Sequence, residues 1–557
     1  MSGTAVQSMR PQLRAPSDDG AALFAPPLAE LPQVLAENRT IRDGWQYDVQ
    51  GCSLAQLARQ ARADFVREAH AYTSTYRDVP GAPDADAELL LAGHQPELFH
   101  PGVWLKNFAV GALARGRGAV AVNLLIDSDT VKATSLKVPT GTPEAPRLVS
   151  VPFDRAGAAV PYEERGIADF AMFQSFGERA VESLHSLVPA PMLEAFWPLV
   201  CRRAQASGNL GLSLAQARHI VEGRWGLETL ELPQSRVCAS DSFRWFTAHL
   251  LAHLPRFREA FNETVADYRH RHGIRTAAHP FPDLAEKNGW LEAPFWVWTT
   301  ANPRRRALFG AFRNGRVVIS DCDSFETELS LTPDGDGAAA VERLGALEAS
   351  GTKIRSRALT TTLWARLVLS DLFVHGIGGA KYDEVTDRLL ERFLGLQPPR
   401  LMVVSGTLLL PVRGPAASAT SVEEQRELKQ RLWRLRHHPE CFLDECLEGQ
   451  QDKHDGAEQL VARKRRWIAT PQTAGNARLR CRAIREINVA LQPYVAKRRC
   501  QAAERLRELN WTLQANRVLR WREFSFCLHP EDSLRGFLGQ ALSKSGATCS
   551  NEASVVR

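Results

Sequence analysis

The chain has 557 residues, of which 44% are hydrophobic and 24% are charged, as is typical of a water-soluble globular protein. Its net charge of +6 is small for this length, so no nucleic-acid partner is expected, because such proteins usually carry a concentrated basic face. No apolar run reaches the roughly 20 residues of a membrane helix, and the N-terminus lacks the apolar centre of a signal peptide, so we expect a cytoplasmic protein with no membrane partner. The ten cysteines form no C-x-x-C pair, and no metal-ligand set is predicted.

The first 162 residues predict an N-terminal part and the beginning of a sheet. Residues 1–86 predict an N-terminal extension, loose to about residue 35, and a helix from about Ser53 to Thr73 with one apolar face. Residues 87–162 predict the first half of a Rossmann-like core. In this half, a strand at 88–92, a helix over Val103–Ala114 and a strand at 119–127 follow one another. Both strands are apolar on both faces, which is typical of a parallel sheet covered by helices.

The remaining segments alternate between helical and mixed patterns. Residues 163–275 predict a helical insertion, and residues 276–415 the second half of the α/β core, with a buried strand within 400–411. Residues 416–525 predict antiparallel helices that form a long, coiled-coil-like arm, and 526–557 a C-terminal tail. The predicted fold class is therefore α/β, with a Rossmann-like parallel-sheet core, a helical insertion and a helical C-terminal arm. The predicted helices of the insertion lie near 168–187, 191–206, 213–224 and 240–271. The second half of the core has predicted strands at 292–298, 306–311 and 315–320. A helix or buried segment is predicted over 359–379 and a helix over 383–393.

Polar residues follow the first predicted strand in the stretch LLLAGHQPELFHPGVWLKN (89–107). His94 and Gln95 leave the carboxyl end of this strand, where open parallel sheets bind their ligands. The next helix directs its N-terminal amides toward the same edge, which favours an anion. We predict that His94 and Gln95 are catalytic and contact an anion or transfer a proton, although a role in capping the turn stays open. Further candidate binding residues in this stretch are Gly93, His100 and Lys106.

The second predicted strand ends in Asp127-Ser128-Asp129. If the two strands are neighbours, both carboxylates face the same cleft, so Asp127 and Asp129 are candidate catalytic residues that orient an acceptor amine. The D-x-D spacing also matches the pattern that holds a divalent ion in many sugar-nucleotide transferases. Capping of a helix is the structural alternative.

Two later stretches carry further candidates. In HPFPDLAEKNGWLEAPFWVW (279–298), Glu292 adjoins a dense aromatic block, which suits a small amine-bearing or sugar ligand. A packed strand beside a solvated basic turn is the alternative. In HGIGGAKYDEVTD (375–387), a glycine-rich loop lets backbone approach a ligand, and Lys381 supplies charge for a phosphate. The candidate binding residues of these stretches are Glu292, Gly378, Gly379 and Lys381, with Arg355 of KIRSR (353–357) as an added positive charge.

The chain has no P-loop, G-x-S-x-G elbow, H-E-x-x-H motif or full dinucleotide fingerprint, which weighs against those enzyme classes. It resembles instead the bacillithiol-biosynthesis cysteine-adding ligases over much of residues 88–420. In that family a strand ends in T-G-Q-Q-x-G-L-[FL], an acidic E-D-H-D cluster ends the next strand, and a Y-V-G-G-P-G-E loop precedes a later helix and strand. The corresponding segments here are AGHQPELF (92–99), IDSD (126–129) and IGGAKYD (377–383), so His94 replaces the first Gln and Ser128 stands in the region of the family's His.

The resemblance implies a nucleotidylyltransferase-type Rossmann-like core and a coiled-coil arm through which a homodimer forms. It also implies a carbon–nitrogen ligase that joins a small carboxylate donor, cysteine or another amino acid, to an amine of a sugar-like acceptor such as glucosaminyl malate. On this interpretation His94 and Gln95 bind the activating anion or the developing charge. The 378–381 loop holds a nucleotide or a substrate carboxylate. The participation of ATP or ADP and of Mg²⁺ stays open.

Two other functions remain open at this point. A D-x-D metal-dependent sugar-nucleotide transferase predicts that Asp129→Ala loses metal binding. A non-catalytic scaffold that keeps the fold predicts that His94→Ala and Asp127→Ala leave cellular function unchanged while truncation of the arm abolishes it.

Overall fold

The computed structural model describes residues 13–79, 81, 84, 86–412, 419–447 and 451–544. The predicted extension before residue 13 and the predicted tail beyond 544 lie outside the described residues. The strands are β1 Ala22–Ala25, β2 Asp48–Val49, β3 Cys52–Ser53, β4 Leu89–His94, β5 Val120–Leu125, β6 Ser135–Gly141, β7 Pro146–Pro152, β8 Leu230–Pro233, β9 Glu286–Lys287, β10 Trp290–Thr299, β11 Asn302–Arg313, β12 Arg316–Ser320, β13 Glu326–Leu329, β14 Thr352–Ser356, β15 Leu372–His375 and β16 Met402–Gly406. The helices are α1 Leu31–Asp43, α2 Leu54–Ser74, α3 Pro101–Arg115, α4 Phe170–Leu184, α5 Leu193–Ser207, α6 Leu210–Arg224, α7 Gln234–Cys238, α8 Asp241–Ala252, α9 Leu254–Arg271, α10 Ala338–Ala349, α11 Ala358–Trp364, α12 Ile377–Leu389, α13 Ala419–His437, α14 Leu443–Cys446, α15 Gln451–Ala469, α16 Ala477–Ala490, α17 Gln492–Leu519 and α18 Glu531–Lys544.

The chain divides into two compact units. The first is drawn from Met1–Val138, Ser150–Leu410 and Arg522–Arg557, and the second from Pro139–Val149 and Pro411–Trp521. Each is described by itself below.

A mostly parallel six-stranded sheet, in the order β1-β16-β15-β4-β5-β8, lies in the first unit. Only the edge strand β1 runs antiparallel to its neighbour. The strands predicted at 88–92 and 119–127 and the helix predicted at 103–114 are confirmed as β4, β5 and α3. From β4 the chain passes through α3 to β5 on one side, whereas from β15 it passes through α12 to β16 on the other. The strand order therefore reverses between the neighbours β4 and β15.

Helix α3 is buried on nearly all sides, because its sequence is apolar around the whole helix. Pro101 stands at the first position of the helix, where the N–H group that proline lacks would have no partner within the helix. His100 is the N-cap. A Cβ at Gly102 would lie 2.0 Å from the Gly406 carbonyl oxygen. Glycine at 102 thus lets the start of α3 lie directly against the end of β16.

The strands predicted at 292–298, 306–311 and 315–320 are present, but they do not belong to the parallel core. As β10, β11 and β12 they form a separate antiparallel sheet in the order β13-β12-β11-β10-β14, with β9 paired to β10. Thr300-Ala301 and Asn314-Gly315 are the entire connections, and two-residue connections join only antiparallel strands. The predicted second half of the core, 276–415, is therefore corrected to this sheet followed by β15 and β16.

The segment 163–275 is largely helical, as predicted, and contains α4 to α9. It also contains β8, a fully buried strand that pairs with β5 and completes the parallel sheet. A four-residue strand between helices carries no periodicity of its own, so the sequence did not reveal it.

Both ends of the chain contribute more structure than predicted. Residues before 35 include β1, and 526–544, predicted as a tail, contain α18, whose Leu534, Phe537 and Leu538 are buried. The helix predicted over 383–393 begins earlier, at Ile377.

The second unit is mostly helical, and it also contains Pro139–Val149, where β6 ends and β7 begins. Helix α13 packs along α17, which follows it only after α14, α15 and α16, whereas α15 packs against α16, the next helix in the chain. Its core is formed by Leu435, Ala457, Ile487, Leu491 and Val495. Among the described residues, no helix is long and apolar enough to cross a membrane.

Candidate functional site

A cavity of about 950 Å³ lies in the first unit, outside the carboxyl ends of β4 and β15. These are the strands between which the strand order reverses, and open α/β sheets bind ligands at such a position. Most of the predicted site residues line this cavity: Gly93, His94, Gln95, His100, Lys106, Asp129, Gly378, Gly379 and Lys381. The sequence linked His94 and Gln95 to Asp129 through the assumption that their strands were neighbours, and it treated the 378–381 loop as a separate candidate.

His94 is held as a neutral imidazole. Its Nδ1 lies 2.9 Å from the Gln95 carbonyl oxygen, which can only accept, so Nδ1 carries the hydrogen and Nε2 keeps a lone pair. Burial, followed by the charge of Lys106, lowers the pKa of His94 to about 3. His94 therefore presents an acceptor at neutral pH, and it binds a donor such as an amine or hydroxyl more readily than the anion that the sequence predicted.

His100 has the opposite polarity. Its Nδ1 accepts the Gly102 amide at 3.1 Å as the cap of α3, so Nε2 carries the hydrogen. The capping role left open from the sequence is thus present. Beside it, Lys106 donates to the Gly93 carbonyl at 2.9 Å, and burial lowers the pKa of Lys106 to about 8.

Asp129 is fixed by three donors at the cavity edge. Its carboxylate accepts the Gln95 side-chain amide at 3.0 Å, an Arg305 guanidinium nitrogen at 3.2 Å and the Thr130 amide at 2.8 Å. The Gln95 amide nitrogen is thereby engaged, which leaves its oxygen as an acceptor.

Two arginines flank the ring of Trp296 on the wall contributed by the antiparallel sheet. The guanidinium carbon of Arg305 lies 4.9 Å from the ring centroid, and that of Arg357 lies 4.0 Å from it. Glu292 accepts from Arg357 at 2.6 Å, and burial lowers the pKa of both arginines. Glu292 itself is not part of the lining, so its role is to hold Arg357 rather than to contact a ligand.

Asp127 and Arg355 are also placed outside the lining. Both Asp127 oxygens accept from Ser235, through its amide at 2.8 Å and its hydroxyl at 2.5 Å. Arg355 is 2% exposed and pairs with Glu163 at 2.9 Å and Glu348 at 2.8 Å. Asp127 thus holds the start of α7 and Arg355 holds three elements together, and neither is among the residues that line this cavity.

The predicted ligand-binding loop at 378–381 is the first turn of α12. Gly378, Gly379 and Lys381 line the cavity from that turn. His375, at the end of β15, lies beside them and was not singled out from the sequence, although it begins the HGIGG motif.

The charged residues of the cavity lining are mostly basic. Its acidic members are Asp129 and Glu523, whereas its basic members are Arg14, Lys106, Arg305, Arg357, Lys381 and Arg522. Arg522, which sequence reasoning also missed, donates to the Gly406 carbonyl at 3.1 Å. Such a lining attracts an anion, while His94, Gln95 and Asp129 provide acceptors for donor groups of the same ligand.

A resident metal has little support in the described part of the chain. Asp127 and Asp129 engage different donors and do not form a shared pair. His219, Glu222 and Glu231 are close enough together to hold an ion, but Arg218 pairs with both carboxylates in the buried interior.

A scan against models of known protein families finds no match for this chain, and a search of the curated proteins finds no similar sequence.

Proposed function

We propose that this chain is a carbon–nitrogen ligase-like enzyme that joins a small carboxylate donor to an amine of a sugar-like acceptor. The observation that carries the proposal is the cationic cavity at the reversal of strand order, where acceptors for an amine adjoin cations for carboxylate or phosphate. We further propose that the parallel sheet is Rossmann-like, that the helical unit is a coiled-coil arm which forms a homodimer, and that the protein is cytoplasmic.

The acceptor end of the proposed ligand contacts His94 and Gln95. A neutral imidazole with a free Nε2 and an amide oxygen both accept hydrogen bonds from an amine or from sugar hydroxyls. Carboxylate groups of the ligand contact Arg305 and Arg357, whose planar guanidinium groups match a carboxylate.

Amide formation from a carboxylate needs activation, and we propose a nucleoside triphosphate as the co-reactant. A carboxylate oxygen attacks the γ-phosphorus and the nucleoside diphosphate leaves, which gives an acyl phosphate. The amine then attacks the carbonyl carbon of the acyl phosphate, and phosphate leaves with the bonding electron pair. Lys381 and Lys106 are the charges available for the phosphate groups.

The D-x-D transferase is a weaker candidate, because Asp127 is occupied by Ser235 and only Asp129 reaches the cavity. The scaffold alternative has no specific observation in its favour.

The test is incubation of the purified chain with cysteine and glucosaminyl malate, with and without ATP and Mg²⁺, followed by mass spectrometry. We expect a product with the mass of both substrates less one water, formed only with ATP. Arg305→Met is expected to abolish it, whereas Arg304→Met, one residue away and outside the lining, is the matched control. Absence of product from folded protein would contradict these substrates.

A further inference from the structure

His375 is a titratable side chain of the cavity to which the proposed chemistry gives no role. It ends β15, lies in the cavity lining and is 12% exposed. Its ring packs against Phe373 at a centroid distance of 4.5 Å. It is therefore fixed at the carboxyl edge of the sheet, beside the strand that carries His94.

The two nitrogens of His375 have different surroundings. Nε2 is buried and makes no hydrogen bond within the described part of the chain, and the nearby Asp383 Oδ2 lies 3.5 Å from it. A Cβ built on Gly379 would lie only 2.5 Å from Nδ1, so Nδ1 lies over the first turn of α12, at residues that line the cavity. No hydrogen bond is made by Nδ1 of His375 to any residue that the structure describes. Because residue 379 is glycine, no side chain fills the space that Nδ1 occupies.

Asp383 is itself held in place. It is 2% exposed and accepts from Arg366 at 2.6 Å, and Arg366 also pairs with Asp387 at 2.7 Å. A buried carboxylate behind one imidazole nitrogen favours hydrogen on that nitrogen and a lone pair on the other, and it stabilises the imidazolium when the ring is protonated. Separations in a ligand-free site are often longer than in the working complex, so 3.5 Å is compatible with this role.

We propose that His375 is the general base of the cavity, with Nδ1 as the proton acceptor and Asp383 as its positioning residue. The inference rests on the proposed function. In the step, an N–H bond of the acceptor ammonium breaks and an Nδ1–H bond forms. The electron pair left on the amine nitrogen attacks the carbonyl carbon of the acyl phosphate. Phosphate leaves with the bonding pair and takes the second proton that the nitrogen gives up as the amide forms.

His94 is less suited to this task. Its Nδ1 donates to a carbonyl rather than to a carboxylate, and Lys106 and Arg218 add unfavourable charge to its protonated form. His375 has a carboxylate instead. His94 thus accepts a hydrogen bond and orients the ligand, whereas His375 takes the proton.

The experiment uses bromoacetate, which combines a carboxylate with an alkylating carbon and needs no knowledge of the natural ligand. Attack by an imidazole nitrogen forms an N–C bond and releases bromide. We expect carboxymethylation of His375 at Nδ1, located by mass spectrometry of peptides. We expect it to be about tenfold faster than labelling by the neutral bromoacetamide, because a cationic cleft concentrates anions by about 10-fold or more. The exposed His270 is the internal control and should show no such preference.

Asp383→Asn separates positioning from structure. It should slow labelling at Nδ1, because the amide no longer selects the ring tautomer that keeps the lone pair on that nitrogen. If this variant does not fold, the Nδ1 to Nε2 ratio in the unaltered chain decides, and a product at Nε2 would overturn the proposal. Failure of bromoacetate to prefer His375, or preference for His94, would overturn it as well.

The ligation assay tests the proposed function and the labelling assay tests the general base, so the two proposals can fail independently. If the unaltered chain makes no amide but His375 is labelled at Nδ1, the substrates are wrong and the base stands. If amide is made, His375→Gln should lower kcat by about 10²- to 10⁴-fold with little change in KM. Ligation undiminished in His375→Gln would contradict the base while leaving the proposed function intact.

Discussion

Arg355→Met should destabilise the protein without weakening ligand binding. Arg355 is 2% exposed and is bonded to Glu163 at 2.9 and 3.1 Å and to Glu348 at two contacts of 2.8 Å. Removing one partner of a buried ion pair costs about 3–5 kcal/mol, because the other charge stays buried. Glu163 keeps Lys353 at 3.1 Å and Glu348 is 23% exposed, so the lower value, about 3 kcal/mol, applies. This is about a hundredfold change in the folding equilibrium constant.

The assay pairs Arg355→Met with Arg305→Met. Urea denaturation followed by tryptophan fluorescence should show the loss of stability in Arg355→Met alone, at the transition of the first unit. Calorimetric titration with malate should show about a 10- to 100-fold weaker affinity in Arg305→Met alone, the value of one charge-assisted hydrogen bond. If Arg355→Met is as stable as the unaltered chain, or weakens malate binding as much as Arg305→Met, the assignment of Arg355 to the framework is refuted.

Three further changes probe the cavity and the core. Burial lowers the pKa of Lys106 to about 8, so this side chain loses its positive charge as the pH rises through about 8. In calorimetric titrations the affinity for malate should therefore fall between pH 7 and pH 9 in the unaltered chain, whereas it should not change over this range in Lys106→Met. Burial lowers the pKa of His529 to about 3, so its imidazole stays neutral in the folded chain at pH values where it is protonated in the unfolded chain. Acidification to pH 5 removes about 2 kcal/mol of stability through this residue, so the total loss should be about 2 kcal/mol smaller in His529→Leu. Equal pH dependence of the two proteins in urea denaturation would contradict this. Gly102→Ala places a Cβ 2.0 Å from the Gly406 oxygen and should lower the thermal midpoint of unfolding, whereas Gly118→Ala, where no atom lies within 4 Å but φ is +67°, should cost only about 1 kcal/mol.

The parallel core was predictable where the sequence pattern is local. Leu89–His94 and Val120–Leu125 are apolar on both faces, and Pro101 marks the helix between them. The sequence could not reveal that the later strands form a second sheet. That outcome depends on two-residue connections such as Asn314-Gly315, whose geometry outweighs the similar apolar composition of the strands.

The part of the site that follows β4 was predictable for the same reason. Gly93, His94 and Gln95 follow a recognisable strand, so their position at the sheet edge follows from the element itself. Arg305, Arg357 and Arg522 come from distant segments and resemble solvated basic residues in the sequence. Only tertiary packing distinguishes Arg357, beside the cavity, from Arg355, which is buried in ion pairs two residues earlier.

The central claim is that the cavity binds a ligand that carries both an amine and carboxylates. The most direct measurement is calorimetric titration of glucosaminyl malate into the unaltered chain, Arg305→Met and the control Arg304→Met. We expect saturable one-to-one binding of glucosaminyl malate to the unaltered chain and to the control, and at least tenfold weaker binding to Arg305→Met. No saturable binding to the unaltered chain, or equal affinity in all three proteins, would contradict it.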